Sequence, residues 1–162
     1  MGSLEWLVRA ELVKKINNVT DIKFDLSDYE IEDNFRVYTT DLSLLIAMKD
    51  FSLKQKIVEN TLTDITKGGI YECAICDVLI KKDIDIWFYK NETKKKELDF
   101  IIQKEGRVIP IEVKAGNTKA GSLKWASKNS DIEFGYKFVD GNVGVDKENK
   151  VITLPIYMIM FI

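Results

Sequence analysis

The chain has 162 residues, 46% hydrophobic and 31% charged, with a formal net charge of −2. That balance fits one globular domain, or one with a small extension, and excludes a generic polycation. It contains no histidine, which removes Ser-His-Asp and Cys-His catalysis and every histidine-ligated metal centre.

The first element expected is a helix from Ser3 to Leu12, capped by Ser3, followed by an extended segment from Val13 to Phe24. The acidic stretch Asp25 to Asn34 reads as a loop, Arg36 to Thr39 as a short strand. Asp41 or Ser43 is placed to cap a helix through Met48, and a further helix is expected over Ser52 to Glu59. Gly68-Gly69 predicts a break before a helix from Ile70 to Lys81, whose apolar stripe is Tyr71, Ala74, Ile75, Val78 and Leu79. A strand over Asp85 to Tyr89 and a lysine-rich turn over Asn91 to Lys96 come next.

Two alternating runs follow, Glu97 to Ile102 and Ile109 to Lys114, which predict a β-hairpin. Pairing across a two-residue turn at Glu105-Gly106 sets Asp99 opposite Glu112 and Glu97 opposite Lys114. The other face pairs Leu98 with Val113, Phe100 with Ile111 and Ile102 with Ile109. Like charges facing one another destabilise a sheet, so Asp99 and Glu112 imply a bound divalent cation. The competing reading is a surface ladder neutralised by Lys114. A loop at Ala115 to Gly121, a helix over Leu123 to Lys128 capped by Ser122, and strands near Phe134 to Val139 and Val151 to Leu154 complete the chain. Helix, three strands, helix, strand predicts an α/β sheet domain over 67–162, with residues 1–66 as an N-terminal helical and extended extension packed on it.

The hairpin carries the chemistry. A hard cation such as Mg²⁺ or Mn²⁺ takes oxygen ligands, which Asp99, Glu112 and the Val113 carbonyl can supply. Lys114 is two residues beyond Glu112, where an ammonium can orient water, help deprotonate it or stabilise charge on a phosphate. Glu72 flanks the helical stripe, where it can hold a metal-bound water; the plain alternative is an exposed glutamate. Between Lys90 and Lys128 there are ten Lys or Arg against five Asp or Glu, a local basic field suited to a polyanion such as DNA. Cys73 and Cys76 have no further Cys or His to complete a zinc site and are read as small helix residues. Trp87, Phe88 and Tyr89 are read as core rather than as a stacking platform, and Trp6 and Trp125 are expected to pack likewise.

Five blocks occur in order: Phe35-Arg-Val-Tyr-Thr-Thr-Asp41-Leu-Ser-Leu-Leu, Lys67-Gly-Gly-Ile-Tyr-Glu72, Glu97-Leu-Asp99-Phe-Ile-Ile, Ile109-Pro-Ile-Glu112-Val-Lys114-Ala-Gly and Ser122-Leu123. Together they resemble the PD-(D/E)xK nuclease superfamily. More closely, they resemble the nuclease-like C-terminal domain, of unassigned function, that follows a P-loop ATPase domain in a widespread prokaryotic family. Asp41-Leu42-Ser43 departs from the Asp-Xaa-Gly of that pattern, at a helix start. The resemblance implies a restriction-endonuclease-like core, a central mixed sheet flanked by helices. It carries over Glu72, Asp99, Glu112 and Lys114 as acidic triad and lysine, all intact here. The implied activity is Mg²⁺-dependent hydrolysis of DNA, with an inactive DNA- or protein-binding module of the ATPase as the alternative. No GxxxxGK[ST] occurs, so no ATP site is expected here and the ATPase portion is expected upstream. A third reading makes the N-terminal helices a homodimer platform. With two cysteines, no signal peptide and no apolar run of about 18 residues, the expected setting is the cytoplasm, away from membranes.

Overall fold

Residues 2–116 and 121–162 are described by the computed structural model. Part of the loop expected over Ala115 to Gly121, residues 117–120, lies outside the described residues. Eight strands join one sheet, in the order β2-β1-β3-β4-β5-β6-β8-β7. They are β1 (Val13–Val19), β2 (Glu30–Thr39), β3 (Ile86–Asn91), β4 (Lys96–Lys104), β5 (Arg107–Lys114), β6 (Gly135–Val139), β7 (Gly144–Asp146) and β8 (Val151–Pro155). The pairings of β1 with β3, β5 with β6 and β6 with β8 are parallel, and the others are antiparallel. The protein is therefore a mixed α/β domain with helices on its sheet, as the sequence pattern predicts.

Two apolar clusters sandwich that sheet. On one face, Ile75, Cys76 and Leu79 of helix α4 (Asp64–Lys81) meet Ile86, Phe88, Phe100, Ile102, Ile109 and Ile111. On the other, Leu123 and Ala126 of helix α5 (Gly121–Ala126) meet Trp87, Tyr89, Leu98, Ile101 and Val108. The alternation along β3 sends successive aromatics to opposite faces, so Trp87, Phe88 and Tyr89 are all buried. Burying each such side chain contributes about 1.5–3 kcal/mol. Trp125 stacks on Tyr89 with ring centroids 5.3 Å apart. Trp6 does not pack as expected and is 59% exposed, because α1 (Ser3–Arg9) buries none of its residues.

Several boundaries differ from the sequence reading, each for a local reason. The acidic stretch after Asp25 is no open loop: a short 3-10 turn over Leu26–Tyr29 buries Leu26, and β2 starts at Glu30. Pairing of Glu30 with Val19 and of Ile31 with Asn18 overrides the weak strand propensity there, and the residues up to Phe35 pass through an irregularity in the β1–β2 register. Asp41 is the cap of α2 (Leu42–Ala47), its carboxylate accepting the N–H groups of Ser43 and Leu44 at 2.6 and 3.3 Å. Asp50 caps α3 (Phe51–Val58) in the same way. Helix α4 starts at Asp64, capped by Thr63, and runs through Gly68-Gly69 instead of breaking there. The 66/67 division thus falls inside α4, and the first 66 residues supply two strands of the common sheet.

The hairpin turn is as predicted. Lys104 pairs with Arg107, and Glu105 and Gly106 have φ of 52° and 75°, a two-residue turn with both central residues left-handed. The register holds through Phe100↔Ile111. Beyond that point β4 changes phase. Trp87 pairs with Ile101 but Tyr89 pairs with Leu98, so β4 carries one extra residue, a β-bulge around Asp99. Leu98 consequently packs with Tyr89 and Ile101 on the α5 face, not with Val113 and Phe100 as expected.

Two glycines test this packing. A Cβ on Gly135 would lie 2.9 Å from Leu123 Cδ2 and 3.1 Å from the Pro110 carbonyl oxygen, so Gly135→Ala is expected to cost about 1–3 kcal/mol in urea denaturation. A Cβ on Gly68 meets nothing within 4 Å; Gly68→Ala is expected to stabilise the fold by about 0.5–1 kcal/mol, as for any open helix position. A loss at Gly68 would contradict a helix continuous through that pair.

Candidate lysine–carboxylate site

The bulge decides where Asp99 points. Its Oδ2 accepts the Val113 N–H at 2.7 Å, taking the place of a ladder partner just beyond the last Phe100↔Ile111 pair. Asp99 and Glu112 therefore do not stand as a continuing pair of the ladder, and the like-charge opposition is relaxed by the backbone. Val113 enters the site through that N–H, while its side chain is buried in the α4-side core.

Glu112 is 5% exposed. Its Oε1 accepts from Lys114 Nζ at 2.9 Å, and its Oε2 is buried with no hydrogen-bond partner among the described residues. Lys114 lies two residues on, on the same side of β5, which explains the short ion pair. Lys114 does not meet Glu97 as the hairpin register predicted. Glu97 instead pairs with Lys90 across the β3–β4 ladder and forms an ion pair with Arg36. The ladder reading, in which Lys114 neutralises Glu97 and Glu112, holds for the contact with Glu112 but not for Glu97 or for the exposure of Glu112.

Glu72 comes from the first half of α4. Its Oε2 accepts from the Tyr38 hydroxyl at 3.1 Å. It also lines a cleft of about 360 Å³ together with Gly68, Gly69, Val113, Lys114 and Gly116. Between Ile65 and Glu72, the two glycines add no side chain to the α4 wall of that cleft. Glu72 is therefore half-buried and engaged, not a free surface glutamate.

The electrostatics show that these groups act on one another. Burial pushes Asp99 up to about 6; the Val113 N–H and Lys114 oppose this, and the charges of Glu72 and Glu112 add to it. Burial pushes Lys114 down, but the hydrogen bond to Glu112 and the charges of Glu112, Asp99 and Glu72 outweigh it, so its pKa is raised. Lys114 is accordingly an ammonium at neutral pH. Cys73 and Cys76 are buried free thiols, both raised first by burial and thus poor nucleophiles.

Among the described residues no three carboxylate or thiol side chains gather into a ready cation cage. The donor set that fits a hard cation is smaller: the unpartnered Glu112 Oε2 and the Asp99 carboxyl, both desolvated and in a common field. The sequence reading did not include Tyr38 and Arg36. Their signal was two polar residues at i and i+2 on one side of a strand, a spacing that says nothing until the strand is placed in the sheet.

A mixed α/β domain with a lysine–carboxylate cluster at the end of a strand is what fold and site define. Residues 67–159 match the family described as Domain of unknown function (DUF4143), and the chain belongs to that family. No match is found among curated proteins or among solved structures. Among the described residues, no helix is long and apolar enough to cross a membrane.

Asp99 sets a pH dependence. Its folded pKa of about 6 lies above the ordinary value of 3.8, so the native state binds the proton more tightly than the unfolded chain. The stability this contributes is full below about pH 4 and lost as pH rises through about 6. In metal-free buffer at pH 8, Asp99→Asn is expected to be more stable than wild type by about 1–3 kcal/mol, with the difference closing at pH 4. Urea titrations at the two pH values measure it; a variant less stable at pH 8 would contradict the assignment.

Proposed function

We propose that this cluster is the site of a metal-dependent phosphodiester hydrolase acting on DNA. The observation that carries the reading is the buried Glu112 Oε2, left without a partner beside Asp99 while Oε1 holds Lys114. A desolvated carboxylate oxygen costs several kcal/mol unless something cationic meets it. The order α4, β3, β4, β5, α5, β6, and the resemblance of the five sequence blocks to PD-(D/E)xK nucleases, support the same reading.

Asp99 and Glu112 are the residues that would hold Mg²⁺ or Mn²⁺, which when bound supplies Lewis acidity at the phosphate. Lys114, as an ammonium, donates to a phosphoryl oxygen or orients the attacking water; its raised pKa argues against a role as proton acceptor. Glu72 faces the same cleft and orients water from the α4 side. The resemblance further suggests that the module works with a linked P-loop ATPase.

Metal-dependent cleavage of a mixed DNA panel tests this. Asp99→Ala and Lys114→Ala are each expected to lower the rate by at least about 100-fold, the scale of losing a transition-state charge contact. Cleavage that survives both changes refutes the assignment.

One observation favours a second reading, a non-catalytic DNA- or protein-binding module. The Lys114–Glu112 ion pair and the Val113–Asp99 hydrogen bond already satisfy much of the site internally. That reading predicts no Mn²⁺ binding by calorimetry and DNA binding whose salt slope follows Lys94 to Lys96.

A further inference from the structure

Strand β2 lies before the residues that match the family, yet it reaches the site. Its Arg36 and Tyr38, two residues apart, project over the α4-side face of the sheet. The Tyr38 ring packs on Phe100 at 5.4 Å between centroids, next to the bulge. Its hydroxyl donates to Glu72 Oε2 at 3.1 Å. The Arg36 guanidinium lies 4.4 Å from the centre of the Phe88 ring and forms an ion pair with Glu97, and its Nη1 stands 3.5 Å from the Asp99 carbonyl oxygen. Burial and the Glu72 charge keep Tyr38 protonated, hence a donor.

We propose that Tyr38 is a positioning residue that holds Glu72 toward the Lys114 cleft, so that a strand outside the family-matched region completes the site. A glutamate has three side-chain torsions, and a helix surface alone leaves its carboxylate free to turn to solvent. The Tyr38 hydroxyl fixes one oxygen and leaves the other for the cleft. The aromatic contact with Phe100 holds the hydroxyl in turn, tying its place to the β4 segment that carries Asp99. As part of the metal-dependent reading above, this arrangement predicts that removing one hydroxyl weakens cation binding. Partners that orient the groups around a metal typically change affinity by 10–100-fold.

The test compares wild type, Tyr38→Phe, Glu72→Gln and the double variant, with Val37→Thr, a half-exposed neighbour in β2, as a control for strand disturbance. Mn²⁺ affinity by calorimetry is expected to fall about 10-fold or more in Tyr38→Phe, with no further fall when Tyr38→Phe is added to Glu72→Gln. Equal losses in both backgrounds, or an unchanged affinity, overturn the proposal. In the metal-free protein, the Glu72 carboxyl carbon resonance is expected to move on Tyr38→Phe and stay in place on Val37→Thr. An unmoved resonance also overturns it. Wild type that binds no Mn²⁺ removes the hydrolase reading instead, and the metal-free resonance then decides for or against Tyr38 alone.

Discussion

The Val113 N–H donates to the Asp99 carboxylate at 2.7 Å, and most of the site follows from that one bond. A ladder running straight on from Phe100 and Ile111 would set Asp99 squarely against Glu112. The extra residue in β4 prevents this: it turns Leu98 into the α5-side core and lets Asp99 satisfy a main-chain donor at the ladder's end. A bulge of this kind re-aims a side chain while the β3–β4 pairs on both sides of it, Trp87↔Ile101 and Tyr89↔Leu98, stay intact. The carboxylate remains desolvated all the same, and burial pushes its pKa up.

That burial is shared. Glu112 is buried because β5 is an interior strand, paired with β4 on one side and β6 on the other. Lys114, near the strand's end, can reach back to only one of its oxygens. Asp99, Glu72 and Glu112 act in one field with the Lys114 ammonium, and the Arg36 guanidinium also feels the Glu72 charge. Carboxyl groups perturbed by burial and by one another in this way cost stability and are common where proteins bind ligands.

The sheet also links parts of the chain that are far apart in sequence. Parallel pairing of β1 with β3, through Asn18 and Phe88, is what places β2 in the same sheet as β3 and β4, at the edge beyond β1. From there the Arg36 and Tyr38 side chains reach Phe88 and Phe100. Asn18 strengthens the join by exchanging hydrogen bonds with the Lys90 main chain at 2.8 and 3.0 Å. Without it, Arg36 and Tyr38 would belong to a separate hairpin with no bearing on Glu72. The N-terminal segment is thus part of the site's scaffold as well as part of the sheet.

The sequence by itself determined whatever depends on local periodicity and turn chemistry. The Glu105-Gly106 turn, the register as far as Phe100 and Ile111, a helix cap at Asp41 or Ser43 and the inward aromatics of β3 were all legible, since each rests on neighbours a few residues away. Glu72, Asp99, Glu112 and Lys114 were legible as an ordered pattern. Only the tertiary structure decided how they meet. The bulge at Asp99 arises because β4 must satisfy β3 and β5 at once, and no single strand's alternation encodes that conflict. The helix through Gly68-Gly69, the length of β2 and the reach of Tyr38 to Glu72 likewise depend on packing between distant segments, where tertiary contacts outweigh local propensity.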